Sequence, residues 1–206
     1  MRKKGYLILA AAILAITAAG CKGTAKNDTS IVVKRNGKVA VTSVESFDQD
    51  YYDKDELSDY VEEQIAAYTQ ENDKKSVKLH RLSVKNKKAT LTLTYESSED
   101  YASFNDAEFF TGTVPQAMAA DYTFDAEFQS VKKGKISGTA DRNTIINDGD
   151  LKTVILREEG SVTVPGTIRY VSAENVTVTS KNSVTVARSE EMTEGDLLPL
   201  IYIIYQ

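Results

Sequence analysis

The chain has 206 residues, with 30 acidic and 25 basic side chains, a net charge of −5, one cysteine, one histidine and no tryptophan. The acidic balance argues against a nucleic-acid partner, because backbone binding needs a net basic face and no nucleic-acid motif is present. The length suffices for one sizeable core or two small ones.

In chain order, Arg2, Lys3 and Lys4 precede an apolar run from Tyr6 to Ala19, followed by Gly20 and Cys21. A charged start, a short apolar core and small residues at its end match a secretory signal peptide. The apolar core is short for a membrane span, which needs roughly 20 residues. The cysteine directly after Ala18-Ala19-Gly20 resembles the lipobox of bacterial lipoproteins. That resemblance implies cleavage after Gly20, a diacylglyceryl group on the Cys21 thiol, and a mature chain held at the outer face of the bacterial cytoplasmic membrane, in the cell envelope. Acyl chains contribute about 0.8 kcal/mol per buried CH₂, so anchoring follows without a transmembrane helix. The alternatives are an ordinary signal peptide with a chance cysteine, or an uncleaved anchor. Cleavage removes three cations and moves the net charge to −8. With Cys21 lipidated, no thiol remains for a disulfide or a thiolate metal site.

The expected organisation is therefore residues 1–20 as signal peptide, 21–30 as lipidated cysteine and flexible polar tether, and 31–206 as a single β-rich globular domain. From Ile31 the pattern turns to strands: Ile31-Val32-Val33, an Asn36-Gly37 pair, then Val39 and Val41 in alternation. Asn-Gly tolerates positive φ, so a type I′ hairpin is expected there. Asp53 followed by Glu56 has the form of a helix start, and Leu57, Val61, Ile65 and Tyr68 recur at helical spacing. Asp55, Asp59, Glu62 and Glu63 fall on the opposite, solvated face. One amphipathic helix over about 54–70 follows.

Val77 and Leu79 alternate, as do Leu82 and Val84, but the phase slips between the pairs, which predicts a β-bulge near His80 and Arg81. Residues 85–88 make a turn into Ala89, Leu91, Leu93 and Tyr95, a second hairpin. Between 97 and 121, Tyr101, Phe104, Phe109 and Phe110 suggest short helical pieces, with Pro115 opening another near 116–120. Tyr122, Phe124, Ala126 and Phe128 then alternate as a half-buried strand should. Beyond Lys135, closely spaced turns separate short β-branched runs: Val154-Ile155, Val162/Val164, Ile168/Tyr170, Val176/Val178 and Val184/Val186. That spacing predicts an antiparallel meander. The closing run, residues 197–205, is continuously apolar and predicts a strand inside a sheet, so that a fragment ending at Leu198 is expected not to fold.

Candidate chemistry is sparse. A triad or histidine-zinc site would have to run through His80, which has basic neighbours and no acid between Lys74 and Lys88. Asp48, Asp50, Asp53 and Asp55 space carboxylates as calcium sites do, yet the EF-hand glycine and terminal glutamate positions are unmet. The plainer reading is acids crowding a helix N-terminus. Asn147-Asp148-Gly149-Asp150 reads first as a turn, and no carboxylate pair can be nominated for glycoside hydrolysis. The sequence nominates no catalytic residue, metal site or cofactor.

Two groupings remain. From Glu45 to Asp73 there are eleven acids and one base, and from Lys74 to Lys88 seven bases and no acid. Lys74, Lys75, Lys78, Arg81, Lys85, Lys87 and Lys88 could form a patch for anionic lipid headgroups or envelope polymers, each cation contributing about 1 kcal/mol near an anionic membrane. The plainer reading is that helix and hairpin lie together and partly neutralise. The aromatic cluster of Tyr95, Tyr101, Phe104, Phe109, Phe110, Tyr122, Phe124 and Phe128 could line an apolar pocket, or simply be core.

The reading is thus an α+β domain, mainly antiparallel sheet with one amphipathic helix, or alternatively a β-sandwich. Its partners are expected to be the membrane, through lipidated Cys21, and an unidentified envelope ligand or protein, bound without catalysis. A structural or assembly role, and a carboxylate-dependent hydrolase, stand as alternatives.

Overall fold

A computed structural model describes residues 29–72, 74–193 and 195–206. The signal segment, Cys21 and nearly all of the expected tether lie outside the described residues. Among the described residues the fold is mixed α+β, with mostly antiparallel strands in two sheets and no helix long and apolar enough to cross a membrane.

The first sheet collects strands β1 (Ser30–Val33), β2 (Val39–Ser46), β3 (Val77–Lys85), β4 (Lys88–Tyr95), β9 (Gly160–Thr163), β11 (Val176–Val178) and β12 (Ser183–Val186), in the order β11-β12-β9-β1-β2-β4-β3. Its one parallel pairing is β1 with β9. The second sheet collects β5 (Phe109–Thr113), β6 (Phe128–Lys132), β7 (Lys135–Ala140), β8 (Lys152–Leu156), β10 (Ile168–Ser172) and β13 (Ile201–Tyr205), in the order β5-β8-β13-β10-β6-β7. A core of inward side chains from both sheets, including Ile31, Val41 and Leu93 from one and Val154, Val171 and Ile203 from the other, lies between them. Period-two alternation is what aims one face of every strand into that space.

Helix α1 (Lys54–Asn72) starts where Asp53 Oδ1 accepts the Asp55 and Glu56 amides at 2.7 and 3.1 Å, the expected N-cap. Its stripe of Leu57, Val61, Ile65 and Tyr68 packs into the shared core while Asp55, Asp59, Glu62 and Glu63 stay exposed. Three short helices join it: α2 (Ser98–Asn105), α3 (Val114–Ala119) and α4 (Arg142–Ile146). The long helix is thus the expected one, α2 and α3 fall where Tyr101, Phe104 and Pro115 suggest short helical pieces, and α4 is unexpected. A second core, on the far side of the second sheet, sits under α3 and α4 and joins Phe124, Phe128, Ile145, Ile155, Tyr202 and Ile204.

The register of β3 on β4 shifts between Leu79 and Arg81, where the phase slip places the bulge. β13 runs between β8 and β10 with all five residues buried, so residues 201–205 of the closing apolar run lie inside a sheet, whereas 197–200 form no strand and Leu197 is exposed. The turn chemistry differs from expectation. Gly37 N–H donates to the Lys34 carbonyl at 3.0 Å and only Gly37 has positive φ, so the first hairpin closes through a three-residue loop with a glycine bulge. The two-residue turn with both φ positive is instead Asn86-Lys87.

Three longer-range expectations are corrected. Phe109 and Phe110 lie in β5, not in a helix. Residues 120–127 form no strand; they cross the outer face of the second sheet, with Phe124 at φ 55 and fully buried against Tyr202. The Arg142 guanidinium pins this segment by donating twice to the Thr123 carbonyl, at 3.1 and 2.5 Å. The alternation at 122–128 therefore records a loop with one side on a core, which is locally indistinguishable from a strand. The runs beyond Lys135 are strands but no meander, because β8, β10 and β13 join one sheet while β9, β11 and β12 join the other.

A cationic cleft at one end of the two sheets

The aromatic cluster does not line one cavity. Tyr95, Tyr101, Phe104 and Phe109 are buried in the core between the sheets, while Phe124 and Phe128 are buried, and Phe110 and Tyr122 half-buried, in the second core. Edge-to-face contacts, such as Tyr95 on Tyr101 at 4.9 Å, fill the space a ligand would need.

The basic run is divided by its own strand. Lys74 pairs with Asp100 at 2.9 Å beside the start of β3, Lys78 and Arg81 are exposed along β3, and Lys85, Lys87 and Lys88 lie at its far turn. The nine residues of β3, eight steps of about 3.3 Å, separate its ends by roughly 25 Å. Helix α1, with its acids, packs against β3. Because β3 is an edge strand, its exposed lysines also discourage edge-to-edge pairing with another chain. His80 is exposed at the bulge. Among the described residues no group of three His, Cys, Asp or Glu side chains converges as a metal site would require; Asp53 serves as the cap of α1, and Asp148 Oδ1 accepts the Asp150 amide within a turn.

One buried carboxylate stands apart. Tyr101 Oη donates to Glu158 Oε2 at 2.6 Å, whereas Glu158 Oε1 is enclosed with no hydrogen-bond partner among the described residues. Burial pushes the Glu158 carboxyl up, against the lowering effect of the Tyr101 hydrogen bond, and burial also raises the Tyr101 phenol. Asp100 behaves oppositely. Burial would raise it, but hydrogen bonds from Ser97 and Lys74 hold its carboxyl below the usual range.

A concavity among the described residues was not legible in any motif. It is an open cleft of about 890 Å³ where several turns from both sheets meet. The β1–β2 loop supplies Lys34 and Arg35, the end of β5 and start of α3 supply 111–113 and Gln116, and Lys152 opens β8. The 165–167 turn, Lys181-Asn182 and Tyr205-Gln206 complete the wall. Lys152 stands in register between Thr113 and Tyr205.

Local bonds hold this wall. Thr113 and Gln116 form a reciprocal capping box, with the Thr113 amide donating to Gln116 Oε1 at 2.8 Å and the Gln116 amide to Thr113 Oγ1 at 3.2 Å. Thr167 and Gln206 exchange amide hydrogen bonds at 2.8 and 3.0 Å, and the Ile168 amide reaches the Lys181 carbonyl at 2.8 Å. Gly166 is required by this closeness, since a Cβ there would strike the Gln206 carbonyl. The lining has Lys34, Arg35, Lys152 and Lys181 but no carboxylate, imidazole or thiol side chain. None of these four cations makes an ion pair among the described residues, and all are exposed. Burial raises the Tyr205 phenol above its ordinary value. Such a lining can hold and orient a ligand through its cations and hydroxyls.

Comparisons with protein families, with curated proteins and with solved structures found no match to this chain.

Proposed function

We propose that this chain is an envelope lipoprotein, anchored through lipidated Cys21, whose β-sandwich domain binds a ligand without catalysis in the cleft at its outer end. The observation that supports this most is where the cleft lies relative to the tether. The chain enters the domain at Thr29–Ser30, where Gly160 packs so closely that a Cβ would come 2.5 Å from the Thr29 carbonyl oxygen. β1 then runs from Ser30 to Val33 and delivers Lys34 and Arg35 directly to the cleft. A domain held from Thr29 therefore offers the cleft away from its anchor. The lining of the cleft supports binding, since its exposed cations and hydroxyls offer contacts to an anion and no carboxylate, imidazole or thiol side chain of the described residues stands among them.

The test is thermal unfolding of the full chain against sugars, peptidoglycan fragments, amino acids and anionic polymers, with Thr167→Trp as the blocking variant. Thr167 is exposed on the cleft wall, so a tryptophan there fills space without entering a core. A ligand at 100 times its Kd adds about 2.7 kcal/mol, or roughly 5–10 °C for a domain of this size. Shifts that vanish in Thr167→Trp are expected; a ligand that shifts both proteins equally would place binding elsewhere. Lipid incorporation abolished by Cys21→Ala tests the anchor.

A structural or assembly role is the second reading. It rests on the bare outer face of the first sheet, where Thr177, Thr185, Ser161, Ser30, Thr42 and Thr92 form one hydroxyl row across six strands. Crosslinks from that row in intact cells, with no ligand shift in the panel, would favour it.

A further inference from the structure

Strand direction gathers several cations of this acidic chain at one end of the two sheets. At the cleft end lie Lys34, Arg35, Lys152 and Lys181. The β6–β7 turn joins them, because a Cβ on Gly134 would sit 2.8 Å from the Lys181 amide nitrogen; it brings Lys132 and Lys133 alongside. The acids described at this end include Glu96, held by Lys38 at 2.7 Å, Asp100, held by Lys74, Glu99, Asp148 and Asp150; none of these lines the cleft, and neither do Lys132 and Lys133. The opposite end, where the chain enters, carries both signs: Glu108 before β5, Glu127 before β6, Glu158 and Glu159 between β8 and β9, the latter paired with Arg188 at 2.9 Å, and Glu174 between β10 and β11, together with Lys85, Lys87 and Lys88 at the β3–β4 turn. A net charge of −5 makes a cationic end a local reversal of the whole, and no feature of helix or strand formation requires it.

We propose that the cleft end binds a linear polyanion. This deepens the reading above and rests on it. The ligand class follows from three features together. The cations flank an open cleft of about 890 Å³, where an extended chain can lie. They are exposed and spread over four turns, so a single small anion would meet one or two of them, in water, and gain little. A polymer meets them in succession, and each contact after the first is intramolecular. An anionic membrane is the less favoured occupant, because the cleft lies at the far end of β1 from Thr29, where the chain enters.

The experiment uses the full-length protein in nonionic detergent, with fluorescence anisotropy of labelled inorganic polyphosphate. Poly-L-glutamate serves as the carboxylate counterpart, inorganic phosphate as the small anion, dextran as the neutral polymer, and anionic vesicles as the membrane. Binding of one or both polyanions is expected, weakening steeply as salt rises from about 50 to about 300 mM. Phosphate should compete poorly. Lys152→Glu with Lys181→Glu should weaken polyanion binding at least about tenfold, while Lys85→Glu with Lys87→Glu at the other end changes it less than about twofold. Circular dichroism and melting curves verify that these exposed substitutions leave the fold intact. Which polymer binds more tightly assigns phosphate or carboxylate chemistry.

No polyanion binding at low salt overturns the proposal, as does equal loss in the tether-end variant, phosphate binding as tight as polyphosphate, or vesicle binding lost through the same two lysines. If dextran or another neutral ligand binds instead and Thr167→Trp abolishes it, the cleft stands as the binding site and only the polyanion falls. If neither charge reversal nor Thr167→Trp alters binding of any probe, both readings fall.

Discussion

Replacing Ile203 by alanine tests the architecture at its centre. Ile203 is fully buried in β13, paired with Val154 of β8 and Val171 of β10, and faces the core shared by the two sheets. Its neighbour Ile204, equally buried, faces the other core. Ile→Ala removes three carbons, about 2.4 kcal/mol of transfer free energy at about 0.8 per CH₂. Strands hydrogen-bonded on both sides cannot move in to close the gap, so a cavity term is added, bringing the expected loss to about 3–4 kcal/mol. For a domain of this size that lowers Tm by roughly 6–15 °C. Urea unfolding of Ile203→Ala, Ile204→Ala and the double variant measures the losses. The two singles should each be large and should add within about 0.5 kcal/mol, because the side chains share no neighbours across the sheet. A loss at Ile203 below about 1 kcal/mol would refute the central placement of β13, and strong non-additivity would refute the separation into two cores. A fragment ending at Leu198 leaves β8 and β10 facing an empty position, and a cooperative melt from it would refute the same placement.

The Asn86-Lys87 turn holds a lysine at φ 59, a conformation that costs an L side chain about 1–2 kcal/mol; Lys87→Gly should stabilise by about 1 kcal/mol in the same urea assay, and destabilisation would refute the turn geometry. Asp53→Ala removes the cap of α1 and should cost about 1 kcal/mol, with Asp53→Asn retaining most of it. For Glu158 the folded carboxyl lies above its unfolded value through burial, so the fold favours the protonated form and its contribution falls as pH rises through that raised value. Glu158→Gln should therefore remove a loss of stability on the alkaline side of the carboxylate range, and an unchanged pH profile would count against the enclosure of this group. Asp100 has the opposite sign: its depressed carboxyl stabilises above the usual carboxylate value and that stability is lost in acid, so Lys74→Ala should shrink the acid-side loss.

Much of the local structure was written in short-range pattern. The N-cap at Asp53, the stripe from Leu57 to Tyr68, the phase slip at His80 and Arg81, and the apolar run of β13 each depend on a side chain's own neighbours in the chain, and each appears where the pattern placed it. The period of a strand says that one face is buried, but not against what. Hence 122–128 could mimic a strand while lying as a loop over a core, and hence the runs from Val154 to Val186 could look like a meander while being dealt out between two sheets. The choice of partner strand is made by burying complementary faces across long separations, a condition no local window contains.

The cleft followed the same division. Lys34, Lys152 and Lys181 are each, locally, an ordinary solvated residue at a turn or a strand end, and the conspicuous basic run from Lys74 to Lys88 drew notice because its members are adjacent in sequence. Tertiary structure reversed that emphasis, stretching the run along an edge strand and drawing the scattered lysines to one mouth. The sequence by itself determined where most strands and the long helix begin, how they are patterned, and that the chain is acidic. Only the packing of two sheets decided which of its turns share an end, because strand direction and sheet order, not spacing along the chain, bring distant charges together.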